Sequence, residues 1–112
     1  MTTKLFSFLG TTDYQTVIYC FGGGEYQTRY APAALCRLLK PDELLVFATK
    51  EAEAKHRASL EAEVGNCLPM KLVSIPAGTC EEEMWDIFRL LTDQVGEGDK
   101  LYFDITHGYR SL

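Results

Sequence analysis

The sequence lacks the long apolar run of a membrane protein and the basic excess of a protein that coats nucleic acid. No apolar run in the 112 residues approaches the roughly 18 that a membrane span needs. The segment Met1–Lys4 leads directly into a short strand and has no signal-peptide core. We therefore expect a cytoplasmic protein. The net charge of −5 disfavours a long nucleic acid as ligand, because such binding depends on many contacts of Lys and Arg with phosphate.

Paired cysteines and clustered histidines are also missing. The four cysteines form no CxxC pair, and they are Cys20, Cys36, Cys67 and Cys80. This spacing indicates neither a zinc site nor a redox motif, and it predicts reduced, mostly buried thiols. The two histidines are His56, in a segment rich in Lys, Glu and Ala, and His107. Two histidines are too few for a site of several histidines, so we predict no metal.

Two glycine-rich nucleotide-binding patterns are absent as well. The loop Gly10-Thr11-Thr12 has neither the G-x-G-x-x-G pattern of dinucleotide-binding enzymes nor the G-x-x-x-x-G-K-[ST] pattern of phosphate-loop NTPases. The one uninterrupted glycine run, Gly22–Gly24, separates the β-rich segments Thr16–Phe21 and Glu25–Thr28 and is typical of a hairpin turn. The sequence therefore disfavours an NAD or ATP enzyme, and we predict no cofactor.

Short apolar segments alternate with helical ones along the chain. Four apolar segments predict buried strands of a parallel sheet, and they are Lys4–Leu9, Leu44–Ala48, Met70–Ile75 and Leu101–Ile105. Helices are predicted over Ala31–Leu39, over Lys50–Val64 and after Thr79, which is placed to cap the third helix. The second helix is so polar that we expect it on the surface. The third is predicted to bury a stripe formed by Met84, Ile87, Phe88, Leu91 and Val95.

These elements predict an α/β fold. Strands that alternate with helices form a Rossmann-like parallel sheet through right-handed crossovers, and the expected strand order is 3-2-1-4, with the β-hairpin inserted after strand 1. The chain is 46% hydrophobic and contains no linker or internal repeat. Residues 1–112 are therefore expected to form a single domain around one modest core.

Two polar loops, Gly10–Tyr14 and Thr106–Arg110, follow the first and the fourth strands. In the order 3-2-1-4 these two strands are neighbours, and the direction of winding reverses between them. Ligands of open α/β sheets bind beyond the carboxyl ends of the strands at such a point. The two loops are therefore predicted to line one crevice, although nearly a hundred residues separate them in the sequence.

The residue types of the two loops suit a ligand with phosphate, ribose and base groups. Gly10 and Gly108 permit close approach to backbone N–H groups, and Arg110 is placed to bind a phosphate in a bidentate manner. Short hydroxyl donors and acceptors come from Thr11, Thr12 and Thr106.

Four residues in or next to these loops have more than one interpretation. Tyr14 and Tyr109 either stack on a base or pack as partly buried rings. His107 donates to phosphate, takes part in acid–base chemistry, or holds the loop by a hydrogen bond to the backbone. Asp104, near the end of its strand, caps loop N–H groups, orients a crevice hydroxyl, or contacts the ligand.

The segment Asp104–Leu112, which reads Asp-Ile-Thr-His-Gly-Tyr-Arg-Ser-Leu, resembles the DxTHG signature of CRISPR-associated Rossmann-fold (CARF) proteins, in the branch often fused to a HEPN ribonuclease domain. The segments Ser7–Tyr14 and Tyr26–Tyr30 look like this family's first strand and loop and its hairpin-to-helix segment, so the resemblance covers nearly the whole chain. It implies that Thr28 and Arg29 border the same crevice. The alternative is an exposed Arg29 that lies over the hairpin.

The resemblance also implies a function in type III CRISPR antiviral defence. It implies a homodimeric sensor whose two crevices hold one cyclic oligoadenylate, with the tetra-adenylate as the expected ring, and an effector domain C-terminal to the sensor. Because family members continue beyond the signature, we expect the chain to be truncated at its C-terminus. The predicted ligand-binding residues are Gly10, Thr11, Thr12, Tyr14, Thr28, Arg29, Thr106, His107, Gly108 and Arg110.

An enzyme of the same fold is the alternative function. A ring nuclease would cleave cyclic oligoadenylate without a metal, by positioning a ribose 2′-hydroxyl for attack on its own phosphate and leaving a 2′,3′-cyclic phosphate. The candidate catalytic residues are then His107 and Arg110. A third interpretation is an α/β domain with no ligand of its own. The sequence does not separate the first two, because binding and cleavage use the same donors.

Overall fold

The structure is a computed structural model that describes residues 2–11, 14–65, 68–76 and 80–104. Its strands are β1 (Thr3–Leu9), β2 (Val17–Phe21), β3 (Gly24–Thr28), β4 (Glu43–Ala48), β5 (Met70–Ser74) and β6 (Lys100–Asp104). Its helices are α1 (Ala31–Leu39), α2 (Lys50–Val64) and α3 (Glu81–Asp93). The predicted strands and helices are therefore present. The N-cap of α3 is Cys80, whereas the predicted cap, Thr79, lies outside the described residues.

Four strands form one parallel sheet in the order β5-β4-β1-β6. Leu9 of β1 lies opposite Ala48 of β4, and Ser7 lies opposite Asp104 of β6. The predicted α/β class with a parallel sheet is confirmed. The labels differ from the predicted 3-2-1-4, because the hairpin takes the second and third places among all six strands. The first strand of the chain has β4 and β6 as its two neighbours.

β1 is the central element of this fold. Its residues Leu5–Leu9 are at most 2% exposed, because β4 and β6 cover the two edges of the strand and helices cover its two faces. Its continuous apolar sequence follows from this burial, since a strand covered on both faces has no solvent side on which polar residues alternate. The one polar residue in this buried run is Ser7.

The two faces of the sheet pack against different helices. Leu5 and Leu9 point to a core that Ala33 of α1 and Leu60 of α2 complete. Phe6 and Phe8 point to a second core around Ile87 of α3. Because side chains alternate between the faces of a strand, the odd and even residues of β1 separate into these two clusters. The helix α3 packs on the opposite face of the sheet from α1 and α2. It connects β5, at one edge of the sheet, to β6, at the other edge.

The strands β2 and β3 form the predicted hairpin between β1 and α1. They pair antiparallel, with Phe21 opposite Gly24. Gly22 and Gly23 between them have φ angles of 57° and 84°. This left-handed region is costly for residues with a side chain, which explains the glycine run. The guanidinium of Arg37 in α1 lies 4.8 Å from the centre of the Tyr26 ring and connects the hairpin to the helix.

The second helix, α2, is polar in composition but not confined to the surface. Every fourth residue faces the core and is buried, and this stripe consists of Ala52, His56, Leu60 and Val64. The expected surface position therefore holds for the charged sides of α2, whereas its buried stripe was not predicted, and one buried residue per turn was enough to pack the helix on the core. Within the described part of the chain, the helices all lack the combination of length and apolar character that crossing a membrane requires.

The predicted buried stripe of α3 is only partly correct. Ile87 is fully buried, and Met84 and Leu91 are partly buried. Phe88 and Val95, however, are 48% and 42% exposed. They lie on the side of α3 toward β6, which ends the sheet among the described residues. An open cleft of about 320 Å³ remains there, lined by Phe6, Phe88, Leu91, Thr92, Val95, Leu101 and Phe103.

The described cysteines differ in burial. Cys36 is buried in α1, whereas Cys20 and Cys80 are exposed. Cys20 lies on the hairpin and Cys80 precedes α3, both outside the packed layers. The prediction of mostly buried thiols is therefore correct for Cys36 and wrong for Cys20 and Cys80, and Cys67 lies outside the described residues.

Ile87 and Phe88 are neighbours in α3 with opposite burial and form a matched pair for a stability test. Ile87→Ala is expected to lower the free energy of unfolding by about 2–4 kcal/mol, because it leaves a cavity in the core. Phe88→Ala is expected to cost about 1 kcal/mol or less, because half of the ring already contacts water. Denaturant unfolding of the parent and both variants measures the difference. Equal losses in the two variants would contradict the orientation of α3.

Candidate functional site

The carboxyl ends of β1 and β6 lie side by side. Ser7 of β1 is opposite Asp104, the last residue of β6, and the Ser7 hydroxyl donates a hydrogen bond of 2.7 Å to Asp104 Oδ2. Both side chains are buried, and 97 positions separate them in the sequence. One interpretation of Asp104 was that it orients a hydroxyl of the crevice. In the structure it holds a hydroxyl, but this hydroxyl belongs to Ser7 within a strand. The bond ties the end of β6 to the centre of the sheet.

The hairpin also approaches this end of the sheet. Burial raises the pKa of the Tyr19 hydroxyl on β2 above its ordinary value, and the negative charge of Asp104 raises it further. A carboxylate acts in this way only on a group that lies near it, because the field of a single charge falls with distance and is screened by water. Tyr19 of the hairpin therefore lies in the neighbourhood of Asp104.

The loop after β1 is held by two side chains. The Gly10 N–H donates a hydrogen bond of 2.8 Å to the Tyr14 hydroxyl, and Lys55 Nζ of α2 donates one of 2.6 Å to the carbonyl of Thr11. Burial raises the pKa of Tyr14 above its ordinary value, and the Gly10 N–H and the Lys55 charge act in the opposite direction. The Gly10 N–H, which the sequence assigned to a ligand, thus has a protein partner in this structure, and so does the backbone carbonyl of Thr11.

The fold itself does not require glycine at position 10. A Cβ built on Gly10 would lie 3.5 Å from the Tyr14 hydroxyl, which is an ordinary contact distance, and its φ angle is not in the left-handed region. Neither backbone strain nor crowding within the described structure therefore explains this glycine. Close approach of a ligand to the backbone remains the predicted reason.

A buried aromatic cluster supports the loop from below. The Tyr14 ring lies 5.0 Å from the His56 ring and 6.0 Å from the Tyr30 ring, measured between centres. The Tyr30 hydroxyl and His56 Nδ1 are hydrogen-bonded at 2.9 Å, and both side chains are almost fully buried. Of the two interpretations of Tyr14, the structure has the packed, partly buried ring. The cluster joins the loop to α1 and α2.

Thr28 and Arg29 meet the same cluster from the end of β3. The Tyr30 N–H donates a hydrogen bond of 3.2 Å to the buried Thr28 hydroxyl. The Arg29 guanidinium lies 5.1 Å from the centre of the Tyr30 ring, so it lies over this ring and not freely over the hairpin. Tyr30 is thus the common neighbour of Tyr14, Thr28 and Arg29, which the sequence placed at one crevice.

The remaining predicted site residues lie outside the described part of the chain. They are Thr12 from the first loop and Thr106, His107, Gly108, Tyr109 and Arg110 from the second. Their assignment to ligand binding, and that of His107 and Arg110 to catalysis, remains a prediction from the sequence. The described structure ends at Asp104, directly before the second loop and beside β1.

Sequence reasoning missed four residues that shape this site. Lys55 and Tyr30 carry no local signal, because their partners come from other elements. His56 had a usable signal, since it lies four residues from Ala52 and from Leu60 in a helix. Ser7 had a weaker one, as the single hydroxyl within the apolar run Leu5–Leu9 needs a hydrogen-bond partner. Among the described residues, no three His, Cys, Asp or Glu side chains lie together as ligands for a metal ion.

The Ser7 hydroxyl offers a direct test of the contact between β1 and β6. Ser7→Ala removes a donor from a buried carboxylate and is expected to lower the free energy of unfolding by about 1–3 kcal/mol. Ser74→Ala, at the exposed end of β5, is the matched control and is expected to change it by about 0.5 kcal/mol or less. Urea unfolding measures both. A Ser7→Ala variant as stable as its control would show that this hydrogen bond does not hold β6.

The chain matches no protein-family model and no curated protein. The resemblance of Asp104–Leu112 to the CARF signature therefore remains a hypothesis that rests on the sequence. The fold contributes an independent observation, which is that the strands preceding the two polar loops are neighbours in a parallel sheet.

Proposed function

We propose that this domain binds a cyclic oligoadenylate, with the tetra-adenylate as the expected ring, as a homodimeric sensor of the CARF type in type III CRISPR antiviral defence. The observation that carries the proposal is the pairing of β1 with β6, which places the carboxyl ends of the two strands that precede the polar segments side by side. In a Rossmann-like sheet this is the point at which ligands bind.

The chemistry of the described half of the site supports a small anionic ligand. Lys55 and Arg29 bring positive charge to the cluster around the first loop, and Gly10 places a backbone N–H there. A net charge of −5 gives little long-range attraction for an anion, so recognition depends on a few donors at short range. Phosphodiester groups of a small ring suit such a site, and Arg110 is the predicted bidentate donor from the second loop.

The ring supports the proposed homodimer through symmetry. A cyclic tetra-adenylate has an internal two-fold axis, and an isologous dimer presents two identical crevices about such an axis. Each crevice then contacts half of the ring. By the same resemblance, ring binding regulates an effector C-terminal to the sensor, such as a HEPN ribonuclease.

Titration calorimetry with cyclic tetra-adenylate, combined with light scattering on the same sample, tests this function. The expected stoichiometry is one ring per two chains, with an increase in the dimer fraction, because a ligand that binds only the dimer stabilises it. A one-to-one complex of monomers, or no binding, would contradict the sensor. Mass spectrometry of the recovered ligand distinguishes the alternative, since a linear product with a 2′,3′-cyclic phosphate would indicate the ring nuclease.

Gly10→Ala is the variant that separates binding from folding in this titration. The space beside Gly10 accepts a Cβ, so the variant is expected to unfold at the same denaturant concentration as the parent. It is nevertheless expected to bind the ring about tenfold more weakly, because the methyl group keeps phosphate away from the backbone. Unchanged binding would exclude Gly10 from the site.

A further inference from the structure

We propose that Lys55 of α2 binds a phosphate group of the ligand at this site. In the bound state, a phosphate oxygen replaces the Tyr14 hydroxyl as the acceptor of the Gly10 N–H. This inference rests on the proposed function and extends it to a residue that the sequence did not assign. It depends on the position of the Lys55 ammonium at the carboxyl end of the central strand.

The Lys55 side chain reaches an unusual partner for an exposed lysine. Its ammonium bonds the carbonyl of Thr11, 44 positions away, at 2.6 Å. Exposed lysines on a helix gain little from such a contact, because ordering the long side chain costs conformational entropy. The contact nevertheless places a compact positive charge directly at the loop after β1, where the ligands of open α/β sheets bind.

The neighbouring residue fixes this direction. His56 is buried in the stripe of α2 and hydrogen-bonded to Tyr30, which holds the rotation of the helix about its own axis. A helix whose rotation is fixed also fixes the direction in which the next side chain leaves it. Lys55 is therefore directed to the loop by the packing of His56, and not only by its own hydrogen bond.

The Tyr14 hydroxyl occupies the position that an anionic oxygen would favour. It accepts the Gly10 N–H at 2.8 Å, and the Lys55 charge lies close enough to act on its ionisation. The Gly10 N–H and the Lys55 ammonium, which bonds the Thr11 carbonyl, thus lie at adjacent residues of one loop, and donors of these two kinds are the usual partners of a bound phosphate. Hydrogen bonds to a charged acceptor are about twice as strong as those to a neutral one, so a phosphate oxygen competes well with the phenol.

The test compares two lysines at opposite ends of the sheet. Lys55→Gln removes the charge at the proposed site, and Lys71→Gln removes the same charge from an exposed residue near the start of β5. Binding of cyclic tetra-adenylate is measured for the parent and both variants at several salt concentrations. Lys55→Gln is expected to bind about tenfold more weakly and to reduce the salt slope of the logarithm of the affinity by about one. Lys71→Gln is expected to stay within about twofold of the parent.

Two more variants separate a phosphate contact from a structural role. Lys55→Arg keeps the charge and is therefore expected to retain the salt slope of the parent. If Lys55 only holds the loop, neither Lys55→Gln nor Lys55→Arg is expected to change that slope. Tyr14→Phe removes the hydroxyl that accepts the Gly10 N–H and leaves the Lys55 charge in place, so it is expected to retain the salt slope of the parent. A reduced salt slope in Tyr14→Phe would overturn the assignment of that slope to Lys55.

The outcomes distinguish this inference from the function on which it rests. If the parent binds the ring and Lys55→Gln has the affinity and salt slope of Lys71→Gln, the role of Lys55 is overturned and the sensor function stands. If the parent does not bind the ring, the proposed function fails and the inference fails with it. Thermal unfolding of each variant identifies any loss of binding that follows from loss of the fold.

Discussion

The central position of β1 is the constraint on which the rest of this structure depends. A strand that is hydrogen-bonded on both edges and covered on both faces must be apolar throughout, and Leu5–Leu9 meets this requirement with one exception. The exception, Ser7, is hydrogen-bonded to Asp104 at the far end of the sequence. That bond is local in space but joins the first and the last described strands. It therefore holds together the two strand ends from which the candidate site is built.

Next to this centre, side chains from other elements hold the described part of the first loop. The loop after β1 rests on a cluster in which Tyr14, Tyr30 and His56 contact one another, and this cluster is buried between the loop and the helices α1 and α2. A binding loop fixed by buried rings presents its donors with little loss of entropy when a ligand arrives. The charge needed for an anion is supplied locally, by Lys55 and Arg29, in a chain whose net charge is negative.

The sequence predicted the elements of this fold well, because each has a local signal. Apolar runs mark the strands, and glycines with positive φ mark the hairpin turn at Gly22 and Gly23. Features that depend on partners elsewhere in the chain were missed. The exposure of Phe88 depends on which strand ends the sheet, and the burial of His56 depends on a tyrosine 26 positions away. The site divides in the same way. Its first loop was located from a strand end, but Lys55, which bonds the Thr11 carbonyl from α2, has no local signal in the sequence.

The central claim is that the loop after β1 and the segment after β6 form one binding site for a cyclic oligoadenylate. Amide hydrogen exchange with and without cyclic tetra-adenylate tests it most directly, because exchange reports on each backbone segment separately. The account predicts slower exchange at Gly10 and Thr11 and in residues 105–110, with no change at the hairpin turn around Gly22. Protection of only one of the two segments, or protection confined to the apolar cleft beside Phe103, would contradict it.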